Sequence, residues 1–94
     1  MKKYEILIIL DGGVTPAKKK AFIQKFEKLV TTFKGKLGEV SDWGKIELAH
    51  KIKKKETGNF LVFPLELEAE SAKQIDSKLR LDEEILRYLL VKTK

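Results

Sequence analysis

Few side chains in this chain of 94 residues have types that could take part in catalysis or metal binding. His50 is the only histidine, and it lies in an alternating stretch with no second proton-transfer group or metal ligand at a suitable spacing. Glu66, Glu68 and Glu70 alternate with apolar residues, which indicates a strand end followed by a helix start rather than paired catalytic carboxylates. The chain has no cysteine, so thiolate chemistry and disulfides are excluded. We therefore expect no enzyme activity, catalytic residue, metal ion, cofactor or small-molecule substrate.

Other residues have types that are associated with phosphate binding. The Asp-Gly-Gly at 11–13 lacks the Lys-Ser/Thr of a P-loop and indicates a turn. The lysine triplets at 18–20 and 53–55 are candidates for phosphate contacts or for solvated surface. The formal net charge of +6 is uneven, because residues 1–55 carry 14 Lys and Arg against 6 Asp and Glu, whereas residues 56–94 carry 6 against 8. A basic half of this kind favours a nucleic-acid partner over a merely solvated surface.

The apolar runs are too short for a membrane protein. The longest, ILIIL at 6–10, compares with about 20 residues for a bilayer-spanning helix. Glu5 and the absence of a small-residue cleavage site argue against a signal peptide. We therefore expect a cytoplasmic protein without a membrane partner, in agreement with the absence of cysteine.

The apolar spacing predicts strands and helices in the order βαββαβ. The predicted strands cover residues 3–10, 36–52, 60–67 and 84–92, and the second of the two helices covers about 69–80. This order is typical of an α+β, ferredoxin-like split βαβ fold in a single domain over residues 1–94, with four antiparallel strands and two helices on one face.

Local signals mark where these elements begin, bend and end. Thr15 and Pro16 predict the start of the first helix, and Gly35 predicts its end in the left-handed conformation. Gly44 interrupts an alternating stretch and indicates a bulge, whereas Pro64 requires a bulge or an unpaired position because it has no N–H. The polar residues 53–59 predict a hairpin loop.

Two helices can cover only one face of the sheet. By alternation, the helix side receives Ile6, Ile8, Leu10, Leu61, Phe63, Leu65, Tyr88 and Leu90. The opposite face, which we call the open face, receives six apolar side chains: Leu7, Ile9, Phe60, Val62, Leu89 and Val91. Such a patch exceeds scattered exposure, so we expect a protein partner or self-association to cover it, unless the long hairpin or a chain end lies over part of it.

The segment GNFLVF at 58–63 is similar to the third-strand signature of RNA-recognition motif domains, which share the βαββαβ order. Those domains stack bases on exposed aromatic side chains of strands one and three. Here strand one offers only Leu7 and Ile9, and strand three offers one ring, Phe60. The pattern therefore favours protein binding on the open face and RNA contact from surrounding Lys and Arg, with a single-stranded RNA binder as an alternative.

Short motifs along nearly the whole chain carry a family resemblance. They are Tyr4-Glu5, Asp42-Trp43-Gly44, Leu48-Ala49, Gly58, Arg80 with Asp82 and Arg87, and a final Leu-Leu-Val-Lys at 89–92. In this order and spacing they resemble the ribosomal protein S6 family of the bacterial small subunit. The resemblance implies a non-catalytic ribosomal protein of the cytoplasm that binds the central domain of 16S ribosomal RNA as a heterodimer with ribosomal protein S18.

We expect the ribosomal RNA to be contacted by basic side chains around the sheet: Lys2, Lys3, Lys45, Lys53, Lys54, Arg80, Arg87 and Lys92. Family members commonly have basic residues where this chain has Ile46 and Glu47, and Tyr-Pro where it has His50 and Lys51, so Lys45 and Lys51 are the expected substitutes. Little of the family's C-terminal tail follows Val91, so partner binding should depend more on the open face. The alternative from another class is a ferredoxin-like regulatory or self-associating dimer that uses the same face.

Overall fold

A computed structural model describes residues 2–52 and 54–93 of the chain. The strands are β1 (Lys2–Asp11), β2 (Lys36–Leu37), β3 (Ser41–Ile52), β4 (Lys55–Leu67) and β5 (Ile85–Thr93), and the helices are α1 (Pro16–Thr32) and α2 (Ala69–Arg80). The predicted α+β order is confirmed, but the predicted second strand is divided into β2 and β3, so the sheet has five strands instead of four. No helix in the described residues is both long and apolar enough to cross a membrane.

The sheet is antiparallel, with β1 and β4 at its centre. Its strands follow the order β2-β4-β1-β5, and β3 pairs with β4 beyond the end of β2. In the register of β1, Leu7 lies opposite Val62 on one side and Leu89 on the other. Directly opposed residues project from the same face of a sheet, so Val62, Leu7 and Leu89 form a row of neighbouring side chains on one face.

The break between β2 and β3 follows from Pro64 in β4. The carbonyl oxygen of Pro64 accepts a hydrogen bond of 2.7 Å from the backbone N–H of Gly38. The ring nitrogen of Pro64 faces the same side and has no hydrogen to donate, so the neighbouring strand cannot continue its ladder there. Residues 38–40 accordingly belong to no strand. Pro64 is paired with Glu5 on the β1 side, and on its other side it stands at the gap between β2 and β3, where the ladder lacks a donor as predicted.

Helix α1 begins as predicted but ends differently. The Thr15 hydroxyl accepts a hydrogen bond of 3.2 Å from the backbone N–H of Lys18. At the other end, Lys34 and not Gly35 takes the left-handed conformation, with a φ of 60°. The N–H groups of Lys34 and Gly35 donate to the carbonyls of Thr31 and Val30, both at 2.9 Å, which is the Schellman pattern.

Gly35 is needed for close approach instead. A Cβ atom at this position would lie 2.3 Å from Leu67 Cδ2 and 2.8 Å from the Glu66 carbonyl oxygen. The chain can therefore pass from α1 into β2 against β4 only if residue 35 has no side chain. The sequence correctly indicated that a glycine is needed after α1. The glycine is needed because of a contact with a distant strand, which the spacing of residues along the chain does not show.

Both helices pack on the predicted side of the sheet. The eight side chains assigned to that side by alternation belong to the core or pack against it. Helix α1 contributes Phe22, Phe26 and Val30, and the rings of Phe26 and Phe63 lie 4.6 Å apart between centroids. Helix α2 has the predicted bounds, and its buried side chains are the predicted Ala72, Ile75 and Leu79.

The hairpin between β3 and β4 has a much shorter turn than predicted. Residues 55–59, assigned to a loop by their polarity, are part of β4, and Lys54 has the positive φ of 67° that a tight turn requires. Asn59 is only 5% exposed, and its side-chain amide donates to the Asp11 carbonyl oxygen at 3.1 Å. Polarity misled the prediction because this buried amide satisfies backbone groups at the end of β1.

We expect Gly35→Ala to lower the free energy of unfolding by about 1–3 kcal/mol, because the new Cβ would overlap Leu67 and the backbone of β4. Gly13→Ala is the matched control, because its Cβ would meet only Asp11 Oδ1, at an ordinary 3.6 Å. Urea unfolding of both variants measures the difference. Equal stabilities would show that Gly35 does not serve close packing.

Candidate protein-binding and RNA-binding surface

The open face carries a continuous apolar patch across three strands. One row consists of Val62, Leu7 and Leu89, and the next consists of Phe60, Ile9 and Arg87. Leu89 is 57% exposed and Val91 is 45% exposed, whereas Leu7, Phe60 and Val62 are half-buried. Exposed leucine and valine in the edge strand β5, on the face opposite the helices, leave apolar area available for a partner.

Ile9 departs from the expected exposure. It lies on the open face, but only 7% of it is exposed. Its Cγ2 atom lies over Gly58, where an added Cβ would be 2.6 Å away. Ile9 is therefore buried in part because Gly58, in the neighbouring strand β4, has no side chain and lets Ile9 pack against it.

A bulge in β3 lies at the same end of the open face as Ile9. The register changes from Glu47 opposite Thr57 to Ile52 opposite Lys55, so four residues of β3, 48–51, stand against one residue of β4. We call residues 48–51 the hairpin bulge. Together with Leu7, Ile9, Phe60, Leu89 and other residues of the sheet, it lines a groove of about 460 Å³.

Trp43 is a surface residue of this face that alternation along the strand did not identify. Its ring is 57% exposed and lies almost parallel to the Phe60 ring, at 13° and 6.2 Å between centroids. In the register, Asp42 faces Leu61 and Gly44 faces Phe60, so Trp43 is the extra residue of a bulge. The bulge at Gly44 was predicted, but its effect is to turn Trp43 towards the open face, which a period of two does not reveal.

One hydrogen bond and one ion pair hold the bulge at Gly44 in place. Gly44 has a φ of +76°, and its N–H donates to Asp42 Oδ1 at 2.8 Å. The other carboxylate oxygen of Asp42 lies 2.8 Å from the Lys19 ammonium of α1. The Lys19 ammonium, and after it the Gly44 N–H, hold the pKa of the Asp42 carboxyl below its usual value, against the opposing effect of burial.

The basic residues predicted to contact RNA lie in separate regions. Lys2, Lys3 and Lys92 are exposed near the start of β1 and the end of β5. Towards the other end of the sheet, Arg87 stands opposite Ile9, and exposed Lys45 and Lys54 belong to the hairpin. Lys53 lies outside the described residues.

Arg80 is engaged in a contact within the fold. Its guanidinium donates to the Asp76 carboxylate at 3.0 Å, and the Tyr88 hydroxyl donates to the other oxygen of that carboxylate at 2.8 Å. Tyr88, and after it Asp76, raise the pKa of Arg80. Asp76 therefore links α2 to β5 through Tyr88, and because Arg80 binds the same carboxylate, only part of its hydrogen-bonding capacity is available to a phosphate.

The described part of the chain lacks the ligand arrangement that a metal site requires. Within residues 2–52 and 54–93, no group of three or more His, Cys, Asp or Glu side chains could hold a metal ion. His50 is exposed on the hairpin bulge and lines the groove beside Arg87 and Lys51. Its neighbours there are basic or apolar, so this region suits contact with an anion or an apolar group rather than metal ligation.

The family of the chain follows from its similarity to known proteins. Residues 3–92 match the family model described as Ribosomal protein S6. The chain belongs to the ribosomal protein S6 family. Small ribosomal subunit protein bS6 of Corynebacterium aurimucosum is 38% identical over 98 residues, covering 99% of this chain and 97% of the relative. The same protein of Cutibacterium acnes is 36% identical over 87 residues, covering 93% of this chain and 91% of the relative.

Solved structures agree on the fold. The crystal structure of ribosomal protein S6 from Thermotoga maritima has a TM-score of 0.90 at 22% identity and covers 98% of this chain and 87% of its own. The C-terminal domain of the MgtC protein from Mycobacterium tuberculosis has a TM-score of 0.64 at 8% identity and covers 99% of this chain and 88% of its own. The ferredoxin-like prediction is therefore confirmed, and the second likeness shows that the fold alone does not decide function.

Membership of the S6 family confirms the resemblance inferred from the sequence motifs. The chain is a ribosomal protein of the small subunit, which gives the ribosome in the cytoplasm as its location, as predicted. The family is structural and non-enzymatic.

The Lys19–Asp42 contact gives a prediction for pH dependence. The carboxyl of Asp42 should titrate below the ordinary value of 3.8, so its stabilising contribution is complete above that pH and is lost as the pH falls through the folded-state pKa. In Lys19→Met, the midpoint should move up towards 3.8. Carbon-13 NMR titration of the Asp42 carboxyl measures both midpoints.

Lys20→Met is the matched control, because Lys20 is exposed and contributes nothing to the lowered pKa of Asp42. An Asp42 midpoint that does not respond to Lys19→Met would show that the ion pair is not maintained in solution.

Proposed function

We propose that the chain is a single-domain structural protein of the small subunit that binds the central domain of 16S ribosomal RNA as a heterodimer with ribosomal protein S18, which covers the open face. The observation that carries the proposal is the exposure of Leu89 and Val91 on a sheet face of an S6-family chain. Because members of this family are ribosomal proteins, both RNA and other ribosomal proteins are available as partners.

The aliphatic part of the open face supports protein docking. Val62, Leu7 and Leu89 form one row, with Val91 beside them in β5. Burial of one such half-exposed side chain contributes about 1 kcal/mol, and a group of them at the centre of a patch has the character of a binding hot spot. Aliphatic side chains pack well against protein and provide no planar surface for bases.

The distribution of charge supports RNA binding around this face. Residues 1–55 provide β1, α1, β2 and β3, and they carry 14 of the 20 basic residues of the chain. Lys2, Lys3 and Lys92 lie at one end of the sheet, and Lys45 and Lys54 lie towards the other. Two separated basic regions suit an extended or folded RNA that passes along the domain, since phosphate contacts position a protein without reading sequence.

Replacing Leu89 with Glu should weaken S18 binding at least 10-fold, because the partner would have to bury a charge in an apolar contact. Leu81→Glu is the matched control: Leu81 is 82% exposed and lies beside Leu79 and Phe26 on the helix side. Both proteins are titrated with a central-domain fragment of 16S ribosomal RNA, with and without S18, at two salt concentrations.

We expect tight, salt-dependent RNA binding only when S18 is present, with Leu89→Glu impaired and Leu81→Glu unchanged. Equal behaviour of the two variants would refute docking on the open face. RNA binding that S18 does not affect, together with a concentration-dependent dimer of this chain that Leu89→Glu disrupts, would favour self-association instead.

Reversing the charge of Lys54 tests the basic end of the hairpin. Lys54→Glu should reduce the slope of log K against log salt by about 1, which corresponds to the loss of one phosphate contact. Lys73→Glu, which makes the same charge change on the exposed surface of α2, is the control. The same slope for both variants would remove Lys54 from the RNA contacts.

A further inference from the structure

The aromatic pair formed by Trp43 and Phe60 differs in chemistry from the rest of the open face. We propose that the aromatic pair is a stacking site for an unpaired RNA base, beside the aliphatic surface assigned to the protein partner. The inference rests on the proposed function only in taking RNA as the ligand. The stacking site would contact the base itself, whereas the Lys and Arg side chains of the proposed function would contact phosphates.

The ring of Trp43 is held in a defined position before any ligand binds. Phe60 supports one side of it at an interplanar angle of 13°, and 57% of Trp43 is exposed. The backbone beneath it is fixed by the Gly44 N–H bond to Asp42, and Asp42 is tied to α1 through Lys19. A planar ring placed in this way binds a flat ligand without first losing conformational freedom.

Basic side chains, the type that binds the phosphates of a nucleotide backbone, lie on the same face as the aromatic pair. Phe60, Ile9 and Arg87 form one row across the sheet, so Arg87 lies about 10 Å from Phe60, or two interstrand spacings. Arg87 is exposed and has no ion pair with another described residue. Lys51 and His50 of the hairpin bulge line the same groove as Phe60 and Arg87. The Lys51 ammonium also lies 3.5 Å from the Glu56 carboxylate, so Arg87 is the donor in this groove that is most available to a phosphate of an RNA whose base stacks on Trp43.

The ring of Trp43 adds to the single aromatic side chain that the sequence predicts for the open face. Phe60 lies in GNFLVF, the segment that is similar to the third-strand signature of RNA-recognition motif domains, but alone it provides one ring only. The bulge at Gly44 adds Trp43 from the neighbouring strand, which makes a platform of two aromatic side chains. Planar rings next to cationic side chains favour a base, whereas the aliphatic row at Leu7 and Leu89 favours protein.

Trp43 is the only tryptophan, so its fluorescence reports on this site alone. We would titrate the full chain, without S18, with a single-stranded oligoadenylate of about eight nucleotides. Saturable quenching is expected, and inorganic polyphosphate at the same phosphate concentration should produce little of it. Polyphosphate provides the charge of RNA without bases, so it separates stacking from electrostatic attraction.

Variants are compared by anisotropy of a labelled oligoadenylate. Trp43→Leu should bind about 5- to 100-fold more weakly, and Trp43→Phe should recover part of the loss because it restores a ring. Because Trp43 is exposed, both variants should retain the melting temperature of the native chain. Val91→Gln is a neutral change on the aliphatic part of the open face, at an exposed residue that does not line this groove, so it should weaken S18 binding and leave oligoadenylate binding unchanged. Failure of S18 docking and failure of base stacking are therefore distinguishable.

Equal affinities of Trp43→Leu and Trp43→Phe would overturn the proposal, as would quenching by polyphosphate equal to that by oligoadenylate. If S18 alone quenches Trp43 and displaces the oligoadenylate, the aromatic pair is part of the protein-docking surface and the base-stacking site is refuted.

Discussion

The structure depends on one constraint: the two helices of this chain cover a single face of its sheet. Strand β1 is at the centre, and its even-numbered residues Ile6, Ile8 and Leu10 are buried against the helices. Alternation then forces Leu7 and Ile9 to the opposite face, together with their neighbours in β4 and β5. Apolar side chains on both sides of the central strands therefore require cover that the helices do not provide. Ile9 is nevertheless buried, whereas Leu89 and Val91 remain exposed.

Two bulges in β3 divide this face into regions of different chemistry. The bulge at Gly44 brings Trp43 beside Phe60, and the hairpin bulge at 48–51 lines a groove together with Ile9. The aromatic pair consequently lies towards β3, whereas the exposed aliphatic side chains Leu89 and Val91 lie in β5. A ribosomal protein that contacts both protein and RNA needs surfaces of both kinds, and here a single sheet face provides them side by side.

Local signals in the sequence were sufficient for the element order, the start of α1, the bounds of α2 and the assignment of side chains to the two faces. They were insufficient wherever the reason is a contact between distant residues. The break after β2 depends on the missing N–H of Pro64, and Gly35 is required by Leu67. The position of Trp43 depends on a bulge that shifts alternation, and Asn59 is buried because β1 ends beside it. The spread of basic residues to separate regions likewise depends on strand pairing, which charge counts do not contain.

The central claim is that a protein partner covers the aliphatic part of the open face. Methyl NMR of the chain during titration with ribosomal protein S18 tests this directly, because the methyl groups of Leu7, Val62, Leu89 and Val91 report on that surface. If a protein partner covers this surface, we expect large shifts of these signals and unchanged methyl signals of Leu81 on the helix side. Shifts confined to the helix side, or no shifts at saturating S18, would contradict it.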